Sequence, residues 1–571
     1  MDARNLQKQE VTAGGTIFTQ LKKLGVDYVF ANSGTDFPPI IEGLAEAAIS
    51  GADLPTALTI PHEHAALGMA HGYYFMSGKA QAVMLHTNVG LANGAIGAIN
   101  AATDHVPMIL MSGRTPTTEE GRFGSRTVPI GWGQEMRDQT ALVREAVKWD
   151  YELRFPEQIT EMLDRAHAIS NSTPKGPVYL SLPREVLSET IDADKTSNNV
   201  RMAPSVAEPP VSAIKQAAMW LTQAKNPVIF VQRGAGDKKG FEALSDLAEE
   251  FAIPVVHYWA TQIGIPTSHP MWVGVDPEPW ISKADAILAI DALAPWSPQV
   301  HAPKADAKII HLGPNPLFSR FPVRNFRSDL SITSETSAGI VELRQAMRQH
   351  FNLGKTTRDQ RRVEVEKYST QNRENTIADA VSGAGPVMSK AYVSWCLSHA
   401  IRNHKSTILS ELGCPVGPMM LGEPESWYQE PHSGGLGWSL PTAMGMGLAR
   451  PDRLIVATMG DGSYMFANPV ACHQIMQAYD IPILIIIVNN AEWGAVKQSV
   501  AMMYPNGHAA RANKMPLTAL SPSPDFTKVA EASDAWARKV TDGRELPHII
   551  KQAIGEVTEN RRTALLDVRV G

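Results

Sequence analysis

The sequence predicts an α/β protein made of three doubly wound parallel sheets, and three observations carry that prediction. Short β-branched runs alternate with longer helical patterns, the signature of βαβ units. The runs are apolar throughout rather than alternating, as strands covered on both faces must be. They fall into three groups separated by two polar stretches. The first group holds VDYVFANSG from Val26, QAVMLHT from Gln81, PMILMSG from Pro107 and PVYLSLP from Pro177. The second holds NPVIFVQRG from Asn226, IPVVHYW from Ile253, ADAILAID from Ala284 and AKIIHLG from Ala307. The third holds STILSELG from Ser406, RLIVATMGDG from Arg453, PILIIIVNN from Pro482 and ALLDVRV from Ala564. The stretch at 187–211 exchanges hydrophobic period for charge and proline and reads as a linker. The charged segment from Gly354 to Asp379 reads as a solvated connecting helix. Domains at 1–190, 205–350 and 380–571 follow.

Length and composition agree with this division. The 571 residues are enough for three or four domains at roughly 150 residues each. A formal net charge of -6 and the lack of a dense Lys/Arg block exclude a nucleic-acid or anionic-membrane surface. The three cysteines, Cys396, Cys414 and Cys472, have neither disulfide-framework nor CxxC spacing, which suits a reducing cytosol. The most apolar run, IPILIIIV at 481–488, is far shorter than the ~20 residues a bilayer span needs, and MDARNLQKQEVTAGG is polar. A cytoplasmic protein, neither secreted nor membrane-inserted, is expected.

The most informative segment runs from Gly460 to Gly494. A strand ends at Gly460-Asp461-Gly462, Asn468 and Pro469 are placed to cap and begin a helix, and a buried strand then delivers Asn489 and Asn490. Both polar ends therefore lie on the carboxyl edge of one parallel sheet. A carboxylate, an amide oxygen and a backbone carbonyl converging beside glycines suit Mg²⁺ bound to a diphosphate.

With 26 residues between the GDG and NN elements, the segment resembles the diphosphate-binding motif of thiamine diphosphate-dependent enzymes. The resemblance places Mg²⁺ on Asp461, Asn490 and the carbonyl of Glu492, and the diphosphate along Gly460, Asp461, Gly462 and Ser463. IPHEHAALGMAHGYYFMSGK resembles the same family's pyrimidine-binding stretch and puts Glu63 on the aminopyrimidine ring. A protonated Glu63 favours the ring's 4′-imino form, which removes the C2 proton of the thiazolium. SGGLGWSLPTAMGMGLARPDR from Ser433 places Leu436 where the family props the cofactor in its bent form. The likeness covers nearly the whole chain and implies a homodimer or homotetramer with active sites between subunits.

Two branches are represented. FANSGTDFPP and MLHTNVGLANGAIGAINAATDHVPMI resemble benzoylformate decarboxylase and place Thr35 and His86 on a 2-oxo acid substrate. GWGQEMRDQTALVREAVKWDYEL resembles acetolactate synthase around Gln134. His titrates near neutrality, which suits His86 to protonating a carbanionic centre. The expected reaction is thiamine diphosphate- and Mg²⁺-dependent 2-oxo acid decarboxylation. The alternatives are an acetolactate synthase-like carboligase or acyl transferase, and a catalytically inactive structural homologue. QRGAGDKKGFEAL from Gln232 is a weak dinucleotide fingerprint, and DALAPWSP from Asp291 stands where acetolactate synthases carry an Arg, so FAD is doubtful. Met419, Met420, Trp438 and Trp493 are candidates for shaping the substrate pocket.

Overall fold

A computed structural model describes residues 10–192, 201–512 and 514–571. Residues 193–200, within the expected linker, lie outside the described residues. The chain divides into two compact units, one of residues 1–205 with 431–450 and one of 206–430 with 451–571.

The first unit holds a six-stranded parallel sheet in the order Thr56–Thr59, Tyr28–Ala31, Gln81–Leu85, Met108–Arg114, Pro177–Pro183, Asp150–Glu152. A short antiparallel pair, Glu10–Thr12 with Thr190–Asp192, turns the start of the expected linker into an edge strand. Helix Glu63–Ser77 crosses helix Ser439–Ala449 at backbone contact. A Cβ on Gly72 would meet the Thr442 carbonyl at 1.9 Å, and one on Gly445 would meet that of Met69 at 2.0 Å. These small residues draw 431–450 into the first unit, although the sequence places them inside the third strand group.

The second unit holds two further parallel sheets. The five-stranded one is ordered Val255–Val256, Pro227–Val231, Ala286–Ile290, Lys308–Gly313, Leu330–Thr333. The six-stranded one is ordered Trp427–Gln429, Ser406–Glu411, Leu454–Gly460, Leu484–Asn489, Ala564–Arg569, Trp536–Val540. The charged segment is one 28-residue helix, Lys355–Ser382, that buries only Arg358, Val365, Ser369 and Ala380. No described helix is long and apolar enough to cross a membrane.

In each large sheet the chain reverses its direction of travel after its first two strands, and the two six-stranded sheets reverse again at their last pair. The first reversals fall between Tyr28–Ala31 and Gln81–Leu85, between Pro227–Val231 and Ala286–Ile290, and between Ser406–Glu411 and Leu454–Gly460. Strand carboxyl ends diverge at such points and leave a crevice, which is where ligands of open α/β sheets bind.

Candidate active site

The crevice of the first sheet brings together Asp36, His86 and Gln134. His86 follows strand Gln81–Leu85 and precedes helix Thr87–Thr103. Its Nδ1 lies 2.5 Å from Asp36 Oδ1, and Asp36 Oδ2 accepts the backbone N–H of Thr87 at 3.2 Å. Asp36 is buried, and two glycines make room for the pair. A Cβ on Gly34 would meet His86 Nδ1 at 2.0 Å, and one on Gly113 would meet Asp36 Oδ2 at 1.6 Å. Because Nδ1–H donates to the carboxylate, the neutral ring presents an Nε2 lone pair, which the Gln134 amide reaches at 3.2 Å. Hydrogen bonding to Asp36 raises the His86 pKa above 6.5 against the lowering effect of burial, and the charges of Asp36 and Glu63 add to the rise.

The sequence reading missed Asp36. It is Asp36, not the neighbouring Thr35, that touches His86; Thr35 is exposed beside the pair, and its carbonyl accepts from Arg184. The aspartate does follow directly on the Gly-Thr of FANSGTDFPP, the stretch singled out for Thr35.

Glu63 opens helix Glu63–Ser77, and Asn93 Nδ2 donates to its Oε2 at 2.6 Å. Gly90 and Gly94 keep the facing helix thin beside it. Leu436 belongs to the same unit. Asn100 donates to the Gly435 carbonyl at 2.9 Å and accepts from Ser433, while His64 Nε2 lies 3.0 Å from the Gly437 carbonyl. Leu436 is thus fixed through both flanking residues. Burial lowers the His64 pKa to about 4, so the ring is neutral at pH 7 and donates to the Gly437 carbonyl.

The crevice of the third sheet holds the second group. Strand Leu454–Gly460 passes directly into helix Asp461–Phe466, with Asp461, Gly462 and Ser463 buried at its start. Asp461 Oδ2 is buried and has no hydrogen-bond partner. Burial raises the Asp461 pKa, while the backbone N–H groups of Asp461, Gly462 and Ala491 act against the rise. A Cβ on Gly460 would have Ser463 Oγ, 4.0 Å away, as its only neighbour, so the backbone there borders open space. Asn490 Oδ1 accepts from Glu492 N at 3.2 Å, and the Glu492 carbonyl accepts from Gly494 N at 2.9 Å, folding the turn tightly. Asn489 donates to Asp567 at 2.9 Å and accepts the N–H of Ala491 at 3.0 Å. An uncompensated buried carboxylate oxygen beside an amide oxygen and a carbonyl fits a hard divalent cation.

Asn468 stands at the expected helix start but has φ +52° and makes no side-chain cap bond. Met419 is core, its carbonyl bonded to Thr267, and Trp438 is buried with its ring centroid 5.8 Å from that of His71. Trp493 does lie at the third crevice, where a Cβ on Gly462 would collide with its indole at 2.2 Å. Met420 is exposed.

Residues 11–142, 214–335 and 413–568 match the N-terminal TPP binding, central and C-terminal TPP binding domains of thiamine pyrophosphate enzymes. The chain belongs to this family and is a thiamine diphosphate-dependent enzyme. It is 25% identical to the probable 2-ketoarginine decarboxylase AruI of Pseudomonas aeruginosa, over 96% of this chain and 93% of that one. It is 22% identical to the acetolactate synthase isozyme 3 large subunit of Escherichia coli, over 96% and 92%. The fold is that of the thiamine diphosphate-dependent 4-hydroxybenzoylformate decarboxylase of Rhodococcus jostii RHA1, with a TM-score of 0.74, 22% identity and coverage of 98% and 99%.

Proposed function

We propose that the protein decarboxylates a 2-oxo acid and releases the aldehyde, using thiamine diphosphate held by Mg²⁺. The observation that carries this reading is the Asp36–His86 pair at the crevice of the first sheet. The cofactor supplies a nucleophilic carbon and an electron sink for the pair of electrons freed with CO2. Glu63, fixed by Asn93, hydrogen-bonds the pyrimidine ring; Leu436 supports its bend; Asp461, Asn490 and the Glu492 carbonyl hold the metal, with the diphosphate along Gly460 to Ser463. His86 delivers a proton to the product carbon from Nε2 and is recharged by solvent, while Asp36 keeps Nδ1 protonated and stabilises the imidazolium. Thr35 borders the substrate side of this pair. The enzyme works as a homodimer or homotetramer whose active sites lie between subunits.

FAD is not part of this reading. At the carboxyl ends of the central sheet Arg233 pairs with Asp291, Gln232 bridges the Tyr258 and Ala294 carbonyls, and Arg324 donates to those of Ala292 and Leu293, so these polar groups are engaged with one another.

The test is product analysis with single 2-oxo acids, aliphatic, aromatic and guanidino-bearing, with and without an added aldehyde. Aldehyde and CO2 in equal amounts are expected. A 2-hydroxy ketone or 2-hydroxy-2-alkyl-3-oxo acid as the main product would transfer the assignment to the carboligase alternative, which the Gln134 contact favours. No turnover despite cofactor binding would make the chain an inactive homologue.

A pH prediction follows from the pair. The folded-state pKa of His86 lies above its ordinary value, so the proton donor is present below that raised pKa and lost as pH rises through it. Asp36→Asn removes the charge that raises it. The alkaline limb of kcat is therefore expected to move to lower pH, with a loss at pH 7 of roughly 10²-fold. An unmoved limb would separate His86 from the rate-determining proton transfer.

A further inference from the structure

The strand Met108–Arg114 ends in two residues that bear on the two partners of His86, one on Asp36 and the other on the segment carrying Gln134. Gly113 packs on Asp36, as described. Arg114 reaches instead to the segment carrying Gln134. Its Nη2 donates to Glu135 Oε1 at 2.6 Å and to the Met136 carbonyl at 2.8 Å, and its Nη1 donates to Glu152 Oε2 at 2.7 Å. The second oxygen of Glu135 accepts from Arg126, which also holds the Pro116 carbonyl at 2.7 Å, and from Thr115 at 3.4 Å. Gln134 closes the single turn Ile130–Gly133, its N–H bonded to the Ile130 carbonyl at 3.0 Å. Beyond that turn, the segment is tied to the sheet by this carboxylate between two guanidinium groups, by the Arg114 bond to the Met136 carbonyl and, further along, by the Gln139 amide, which donates to Ser112 and to the Gly113 carbonyl. Isolated exposed ion pairs contribute little, but Arg114 is only 13% exposed, and it binds two carboxylates and a carbonyl at once, which a lysine cannot reproduce.

We propose that Arg114 and Glu135 are positioning residues that hold the Gln134 amide on His86 Nε2 and so divide the product between protonation and transfer to a second carbonyl compound. The inference rests on the decarboxylase reading above. With Gln134 in place, Nε2 is covered until the ring is protonated, so the ring and the amide compete for the same space beside the reacting carbon. Releasing the clamp uncovers Nε2 and loosens the acceptor side of the site.

The experiment uses Glu135→Gln, which keeps side-chain size at a partly exposed position, and Arg114→Lys in the full-length protein. Acylation of His86 by diethyl pyrocarbonate, followed by mass spectrometry of its peptide, reads the cover directly. It is expected to accelerate about fivefold to tenfold, as for loss of one ordinary hydrogen bond, while the buried His64 and His71 keep their parent rates. The ratio of aldehyde to ligation product, measured with one 2-oxo acid and one added aldehyde, is expected to shift, and kcat to fall roughly tenfold to a hundredfold. Unchanged His86 labelling overturns the proposal, as does faster labelling with an unchanged product ratio. A parent enzyme that turns over no 2-oxo acid fails the decarboxylase reading instead, and the labelling alone then decides the clamp. Should Arg114→Lys not fold, Glu135→Gln carries the test.

Discussion

Glu63→Gln is expected to leave thiamine diphosphate binding largely intact and to slow exchange of the cofactor's C2 proton by roughly 10²–10⁴-fold, the range of a positioned acid/base. The replacement is close to isosteric. The side-chain amide still fits between Asn93 and the glycine face of helix Thr87–Thr103, where Gly90 and Gly94 leave little spare room. What it loses is the ability to take up and return a proton. Exchange followed by NMR in deuterated solvent measures that step without any substrate, so the result does not depend on which 2-oxo acid the enzyme prefers. An exchange rate equal to the parent's would remove Glu63 from the mechanism.

Much of this architecture was legible in the sequence because its chemistry is written locally. Strands such as Leu484–Asn489 are buried on both faces and contain little but Ile, Leu and Val. The GDG and NN elements sit at strand ends, so their spacing encodes their convergence. What escaped notice depends on contacts between distant segments. Thr56–Thr59 and Trp536–Val540 are edge strands with polar, half-exposed patterns that resemble loops. Asp36 reads as a turn residue until the fold sets it against Gly113 and His86, more than 45 residues away in each case. The His86 and Gln134 signals pointed to different branches when read separately. In the folded chain they are two sides of one hydrogen bond.

Asp461→Asn is expected to abolish Mg²⁺-supported cofactor binding while leaving the cofactor-free protein as stable as the parent or more so. The two effects have opposite signs and one cause. Asp461 is a buried carboxylate with one oxygen unpartnered, and burial raises its folded-state pKa above that of the unfolded chain. Above the raised pKa the folded state carries the penalty of a buried charge that the surrounding backbone N–H groups compensate only in part; the penalty disappears as pH falls through that pKa and the carboxyl becomes neutral. At pH 7 an asparagine removes the penalty and keeps the shape. With the cofactor present the balance reverses, since the metal turns the same charge into an attraction that a neutral amide supplies only weakly. Saturating thiamine diphosphate and Mg²⁺ should stabilise the parent by ~2.7 kcal/mol at a hundredfold excess over the dissociation constant. Thermal unfolding of both proteins, with and without the two ligands, measures each sign separately. A ligand-induced shift in the variant equal to the parent's would place the metal elsewhere, and a marked loss of stability without ligand would show that Asp461 is held by protein contacts rather than kept for a cation.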